Sequence, residues 1–369
     1  MHKASIQTWL QEEDPDRLEE LWTEADRVRR THVGEEVHLR GLVEISNHCA
    51  RHCLYCGLRA DNRTLIRYRM TRTEILQCAL QAEELGYGTI VIQSGEDPGI
   101  TRKWLCEVIR TVKRETALAV TLSIGERSEE DLRAWREAGA DRYLLRFETS
   151  DRALFRRIHP SLPGRESDRL AILRTLDTLG YETGSGIMVG IPGQTFAAVA
   201  EDLWLFRTLD LDMVGVGPFL PHPGTPLGSD ANKAEKPGEE QVPNSALMAC
   251  KVVALTRILL PLANLPATTA LAAAEKGNAR EPGLRCGANV IMPNLTPEPY
   301  RGMYEIYPQK GNVHTDHRHI RDAILALGRT VAQGRGDSLH YLAKLRDLLA
   351  LESALLAAPV WNDRHADRS

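Results

Sequence analysis

The sequence has no block of like charge, no long uninterrupted apolar run, no apolar core near its N-terminus and no CxxC spacing outside one short stretch. Each absence removes a class of function. With 46 Lys and Arg against 50 Asp and Glu, the formal charge is -4 and no basic stripe offers a surface to nucleic acid, so a small molecule is the expected partner. The most apolar stretch, residues 258–274, is interrupted by Pro261, Asn264, Pro266, Thr268 and Thr269, which argues against a membrane span. Residues 1–20 are charged from Lys3 onward and lack the apolar segment of a signal peptide, so a cytoplasmic protein is expected. Seven cysteines, an odd number with only three clustered, disfavour a disulfide framework and favour metal ligation. Cys78 and Cys106 fall within helical patterns and read as small core residues.

What is present is a regular alternation. After an amphipathic helical start carrying Trp9, Leu10, Leu18, Leu21, Trp22, Ala25 and Val28, short apolar runs alternate with longer helical patterns. The runs predict strands at 37–46, 89–94, 119–124, 142–147, 186–189, 213–217, 266–270 and 289–292. Helices are predicted between them at 73–85, 101–115, 129–138, 167–179, 195–209 and 245–260, with Thr71 and Thr73 as caps of the first. Eight such units predict an α/β fold of the (β/α)8 TIM-barrel type, with a doubly wound open sheet as the alternative. The expected organisation is an N-terminal helical segment over 1–35, the barrel over 36–300 and a C-terminal helical extension over 301–369. That extension reads as helices at 320–331 and 339–356 and a charged tail from Trp361, and residues 228–245 read as an exposed polar loop. In a barrel the site lies at the C-terminal strand ends, and polar clusters follow the predicted strands, from the cysteine loop and Gln93 to Asp97 through to Pro293 and Asn294.

The first of these clusters is the distinctive one. Cys49, Cys53 and Cys56 have the spacing CX3CX2C directly after the first predicted strand. Three thiolates on one loop can hold a soft metal or an iron-sulfur cluster and leave one coordination position open. A closed zinc site with His48 or His52 is an alternative, but zinc modules usually bring a second ligand pair from a distance. A [4Fe-4S] cluster with one iron free of protein ligands fits the spacing best.

With Tyr55 before its third cysteine, the triplet resembles the signature of the radical S-adenosylmethionine (SAM) family, whose open iron chelates the amino and carboxylate groups of SAM. Longer segments, among them VIQSGEDP (91–98), LSIGERS (122–128), DRYLLRFETS (141–150), GYETGSGIMVGIPGQT (180–195), LPATTA (265–270) and LRCGANVIMPNLTP (284–297), resemble the HydE-type maturases of [FeFe]-hydrogenase. Methylornithine synthase (PylB) and biotin synthase are relatives of that group. The resemblance covers residues 35–310. It implies reductive cleavage of SAM to a 5'-deoxyadenosyl radical that acts on a small substrate. SAM would then lie against Tyr55, Gln93, Ser94, Gly95, Glu148, Arg169, Gly190 and Pro192, and a small anionic substrate against Thr121, Arg146, Thr268, Thr269, Met292, Tyr304 and Tyr307. It also implies a reductant such as a flavodoxin or ferredoxin, and other hydrogenase maturases as partners. A PylB-like enzyme acting on an amino acid or sulfur compound and a non-catalytic cluster carrier are the alternatives.

Two positions depart from the HydE pattern. No cysteine follows Cys286, so no second cluster is expected, and His314, His317 and His319 read as a solvated loop instead. Phe147 stands where HydE sequences commonly have His, a change expected to remove a polar group from the chamber rim.

Overall fold

A computed structural model describes residues 1–230, 240–274, 280–308, 310 and 316–357. Residues 231–239 of the predicted 228–245 loop, His314 and the tail from Trp361 therefore lie outside the described residues. Six strands form a continuous parallel sheet: β1 (Glu36–Ser46), β2 (Thr89–Ser94), β3 (Ala119–Ser123), β4 (Arg142–Leu144), β5 (Glu182–Val189) and β6 (Met213–Pro218). On its other side β1 pairs with β7 (Val290–Ile291), and its first two residues pair with β8 (Thr330–Val331).

The sheet closes through residues 264–267. Met213 bridges to Asn264 and Pro266 bridges to Val290, which completes a parallel barrel of eight positions. Pro266 has no N–H to give to a ladder, so this position is a pair of bridges and not a regular strand. Its neighbours supply the bonds: Val214 N donates to Asn264 O (3.0 Å) and Ala267 N to Val290 O (2.9 Å). The buried Asn289 amide adds two more, to Asn264 Oδ1 (2.8 Å) and from Leu265 N (2.8 Å).

Local chemistry explains where the observed elements differ from the predicted ones. The expected strand 266–270 stops early because the Thr268 hydroxyl accepts from Leu271 N and starts the helix Thr269–Ala274. β5 begins four residues before its apolar run, because Glu182, Thr183 and Ser185 are polar groups bonded in the interior. The helix expected over 320–331 is His317–Ala326, ended by Gly328 at φ 70° and followed by β8. Thr71, and not Thr73, caps the helix Arg72–Glu84, in a reciprocal box with Glu74. Cys78 and Cys106 are buried on helices, each thiol donating to a carbonyl.

The N-terminal helices Lys3–Gln11 and Pro15–Val33 pack on Phe196–Thr208 and Ala246–Leu259, and the Lys251 ammonium donates to Leu10 O (3.1 Å). Residues 334–338 close the N-terminal end of the barrel. Arg335 O accepts from Thr89 Oγ1 (2.8 Å) and Arg142 Nη2 (3.0 Å), while Gly336 O accepts from Arg40 Nη2 (2.9 Å) and Asn264 Nδ2 (3.1 Å). The opposite end, where the strands finish, is left to the site. Among the described residues no helix is long and apolar enough to cross a membrane.

Candidate active site at the strand ends

The loop after β1 is held by hydrogen bonds to several other loops. Asn47 is fully buried: its amide donates to Ile66 O (2.7 Å) and Met303 O (2.9 Å), and its oxygen accepts from Tyr68 N (2.7 Å). Ala50 N donates to Glu96 O (2.9 Å), Leu54 N to Ile158 O (2.8 Å) and Gly57 N to Ile306 O (3.0 Å). A Cβ on Gly95 would lie 2.2 Å from His48 O and 2.9 Å from the Cys49 Cβ, so only glycine lets the β2 loop press this closely on the cysteine loop.

Within that frame Cys49, Cys53 and Cys56 carry free thiols, Cys53 buried and the other two half-buried. Burial pushes Cys53 up to about 12, with the neighbouring Cys49 raising it further, and burial followed by Cys53 and Cys49 raises Cys56 likewise. Empty, such thiols stay protonated; a bound metal takes their protons. The thiols do not close on an ion-sized point, since among the described residues no three His, Cys, Asp or Glu groups do. A four-iron cube binds each thiolate at a separate iron, so its three ligands need not close on one point. Arg51, inside the motif and 1% exposed, adds an unmet donor: its Nη1 has no hydrogen-bond partner among the described residues. A buried donor beside three thiols suits an anionic cluster.

Glu148 and Arg169 face this loop from the segment after β4 and from the first residue of the helix Arg169–Thr178. Glu148 has a left-handed backbone, φ 64°, held in place by Glu148 N to Gly186 O (3.1 Å) and Met188 N to Glu148 O (3.2 Å). A glutamate in that conformation costs free energy and marks a position where side-chain direction matters. Its carboxylate lies 3.0 Å from Arg146 Nη2 and 4.0 Å from Arg169 Nη1. Arg169 Nε donates to Glu126 Oε1 (3.0 Å), Nη1 to Arg146 O (2.6 Å) and Nη2 to His159 Nε2, which leaves one N–H on each terminal nitrogen. His159 Nε2 also lies 3.4 Å from Glu126, but the two are not an ion pair. Burial, then Arg169 and Arg51, pull His159 down to about 2, and a ring nitrogen that accepts from Arg169 is unprotonated.

The remaining candidates divide. Gln93 Nε2 donates to the hydroxyl of the buried Tyr304 (3.3 Å), and Tyr307 lies within electrostatic reach of Arg280 and Arg146. Ser94 spends its hydroxyl on Gly95 O (2.7 Å). Thr121 and Met292 lie deeper, lining an interior cavity with Arg40, Val91, Met213 and Asn264, and the Thr121 hydroxyl has no partner there among the described residues. Thr268 donates to Val216 O (2.7 Å), while Thr269 opens a helix. Gly190, at φ 82°, is explained by packing, since a Cβ would lie 2.4 Å from Asn244 N, and Pro192 O accepts from Arg157. Tyr55 packs against the apolar cluster of Leu154, Ile158, Met188, Ile191 and Phe219.

Phe147 is 1% exposed and packs on Phe206, ring centroids 5.5 Å apart, and it also lines a cavity with Thr149, Phe155 and Arg169. One expectation fails. His317 and His319 stand on the first turn of a helix, with His317 Nδ1 3.0 Å from the Tyr87 hydroxyl, and not in a solvated loop. The sequence reading also missed Arg51, Glu96, Glu126 and His159 as bonded partners, and the buried pair of Lys310 with Glu44. Glu96 and Glu126 follow strands, a position that marks a rim residue; His159 and Lys310 carry no such signal. Burial pulls Lys310 down to about 7.

Residues 43–204 match the Radical SAM superfamily. The chain is 50% identical over 292 residues to the [FeFe] hydrogenase maturase subunit HydE of Thermotoga maritima, covering 79% of this chain and 80% of that one. It is 30% identical over 290 residues to 3-methylornithine synthase of Methanosarcina acetivorans, covering 78% and 77%. Among solved structures, methylornithine synthase (PylB) superposes with a TM-score of 0.77 at 26% identity over 90% of this chain and 94% of that one. The maturase HydG, at 20% identity and a TM-score of 0.73 over 89% and 72%, shares the fold.

Proposed function

Because the chain belongs to the radical SAM superfamily, in the family that holds the HydE maturase and 3-methylornithine synthase, we propose that it is a HydE-type enzyme serving [FeFe]-hydrogenase maturation. The observation that carries the proposal is the convergence of a pinned three-cysteine loop with Glu148 and Arg169 at one end of a barrel whose other end is plugged. Cys49, Cys53 and Cys56 would each hold one iron of a [4Fe-4S] cluster and leave the fourth open. When bound, the cluster supplies the electron that splits SAM into methionine and a 5'-deoxyadenosyl radical.

The protein's own part is binding, orientation and exclusion of water. Arg169, with an N–H left on each terminal nitrogen, offers a fork for the SAM carboxylate. Glu148 is aimed at the same region by its left-handed backbone. Gly95 brings the β2 backbone against the cluster loop, where Gln93 and Tyr304 line the entrance to the barrel interior. A small substrate would lie below, towards Thr121, Met292, Thr268 and Tyr307, in a space kept from water by the barrel wall and the 334–338 segment. A flavodoxin or ferredoxin would deliver the electron in the cytoplasm, and the other maturases of the hydrogenase would be the functional neighbours.

Anaerobic reconstitution tests this directly. The expected result is about four irons per chain, dithionite-dependent 5'-deoxyadenosine, and restored hydrogenase activity in a maturation extract lacking HydE. A colourless protein holding one zinc would sink the proposal. The similarity to PylB supports a second reading, an amino-acid mutase. Deuterium passing from labelled lysine into 5'-deoxyadenosine, with no effect on hydrogenase maturation, would favour it.

A further inference from the structure

Glu126 belongs to none of the groups expected to touch cofactor or substrate, yet it is 1% exposed and carries an unusual set of partners. Oε1 accepts from Arg169 Nε (3.0 Å) and from the Ser167 hydroxyl; Oε2 accepts from Arg51 Nη2 (2.7 Å). Its own N–H donates to Glu96 Oε2 (3.1 Å), and Glu96 Oε1 accepts from Arg51 Nε (2.7 Å), which closes a ring through Arg51. The ring is built closely. Gly125 sits at φ 80°, a Cβ there would lie 2.8 Å from Glu96 Oε2, and the Tyr143 hydroxyl fixes the Gly125 carbonyl (2.7 Å).

We propose that Glu126 is a positioning residue that ties the arginine facing SAM to the loop carrying the cluster cysteines, so that the two are held in one register. The inference rests on the roles given above to Arg169 and the cysteine loop. Hydrogen bonding and charge balance alone do not call for this carboxylate, because without it Arg51 would keep Glu96, and Arg169 would keep its bonds to Arg146 O and His159 and the Glu148 carboxylate 4.0 Å away. Stability does not call for it either, since buried ion pairs contribute little net stability relative to apolar packing of the same volume. What Glu126 alone supplies, among the described residues, is one rigid group bonded to both guanidiniums. Arg51 lies between Cys49 and Cys53, so moving its guanidinium moves the backbone from which two cluster ligands project. On the other side, three contacts fix the Arg169 plane; losing the Glu126 bond leaves two, both at the terminal nitrogens, and lets the guanidinium tilt together with its two remaining N–H groups. Displacements on the order of 1 Å at such a fork are costly to binding and turnover.

The test uses the full chain reconstituted with iron and sulfide, and compares the parent with Glu126→Gln and Glu126→Asp. Iron content, SAM affinity, the electron paramagnetic resonance spectrum of the reduced cluster with and without SAM, and the Tm are read for each. Glu126→Gln is expected to keep its iron, bind SAM about tenfold or more weakly, and lose or broaden the spectral change that SAM causes in the parent. Glu126→Asp, with the charge restored on a shorter arm, is expected to recover part of both. A Glu126→Gln protein with a lowered Tm but parental SAM affinity and spectrum overturns the proposal, because that is what a purely structural carboxylate would give. If Glu126→Gln does not fold, Ser167→Ala takes its place by removing the hydroxyl bonded to the same Oε1. A severalfold loss of SAM affinity is then expected, and an unchanged affinity and spectrum overturns the idea. A parent that takes up its cluster but shows no response to SAM overturns the reading of the site, and this inference with it, before any substitution is made.

Discussion

Glu148 shows how a single residue trades stability for direction. Its φ of 64° is a conformation that Asn adopts more readily than Glu, and its ion pair with Arg146 joins a side chain that is 32% exposed, where such pairs contribute little. Glu148→Asn is therefore expected to leave the Tm within about 2 °C of the parent while SAM affinity falls roughly tenfold. Calorimetry and a SAM titration of the same preparation check both halves, and a parallel loss of Tm and affinity would count against strain held for function. Gly95 makes the reverse case. Adding a methyl 2.2 Å from His48 O must push the β2 loop off the cysteine loop, at a cost of about 1–3 kcal/mol. The Gly95→Ala protein is expected to stay folded but to hold well under half the iron of the parent, as measured after identical reconstitution.

At the scale of elements, the loop after β4 depends on the helix Phe196–Thr208 behind it. Asp202 on that helix is fully buried and accepts from Ser150 N (2.5 Å), two residues past Glu148. Burial pushes its carboxyl up to about 7, against which the Ser150 bonds only partly act. The folded state thus holds a proton that the unfolded chain releases near pH 4. The stability this group contributes is complete below about pH 4, falls as the pH rises to about 7 and is flat above, a change on the order of 4 kcal/mol. Asp202→Asn, which cannot ionise, is expected to remove that slope and to be at least as stable as the parent at pH 8. Urea melts at pH 5 and pH 8 decide it, and an identical slope in the variant would show that Asp202 does not titrate in this range.

For the whole molecule, the barrel has a working end and a closed end. Arg142 and Glu182, both buried, meet at 2.5 Å beneath the interior cavity, and Arg142 also holds Asp337 and Arg335 O of the closing segment. Arg142→Met leaves the buried Glu182 with the Ser338 N–H (3.2 Å) and, as its one cation among the described residues, the more distant Arg40, 3.8 Å away, and is expected to cost about 3–5 kcal/mol. Replacing both partners, Arg142→Met with Glu182→Leu, is expected to recover most of that loss. If the double variant is as unstable as the single one, the pair is holding the 334–338 segment in place and is not merely balancing charge. Thermal melts of the parent and the two variants give the answer, and iron content in the double variant should stay at the parental value because the cluster loop is at the other end.

Composition and pattern alone determined the alternation of strands and helices, and pointed to the strand ends as the place of the candidate site with the three cysteines at its centre, because local propensity and ligand spacing are properties of neighbours in the chain. Tertiary structure decided what depends on residues far apart. Barrel closure at Asn264 and Pro266 is made by single bridges where the run over 266–270 predicts a full strand, and β5 starts on polar residues whose partners come from other parts of the chain. Phe147 illustrates the limit most directly: its position beside Glu148 says nothing of the ring partner, and only the folded chain brings Phe206 to it. The bond between Arg51 and Glu126 joins groups 75 residues apart, and nothing in either segment marks the other as its partner. The cysteine loop could be read from the chain, whereas the carboxylate that ties it to Arg169 became visible only when the strands were brought side by side.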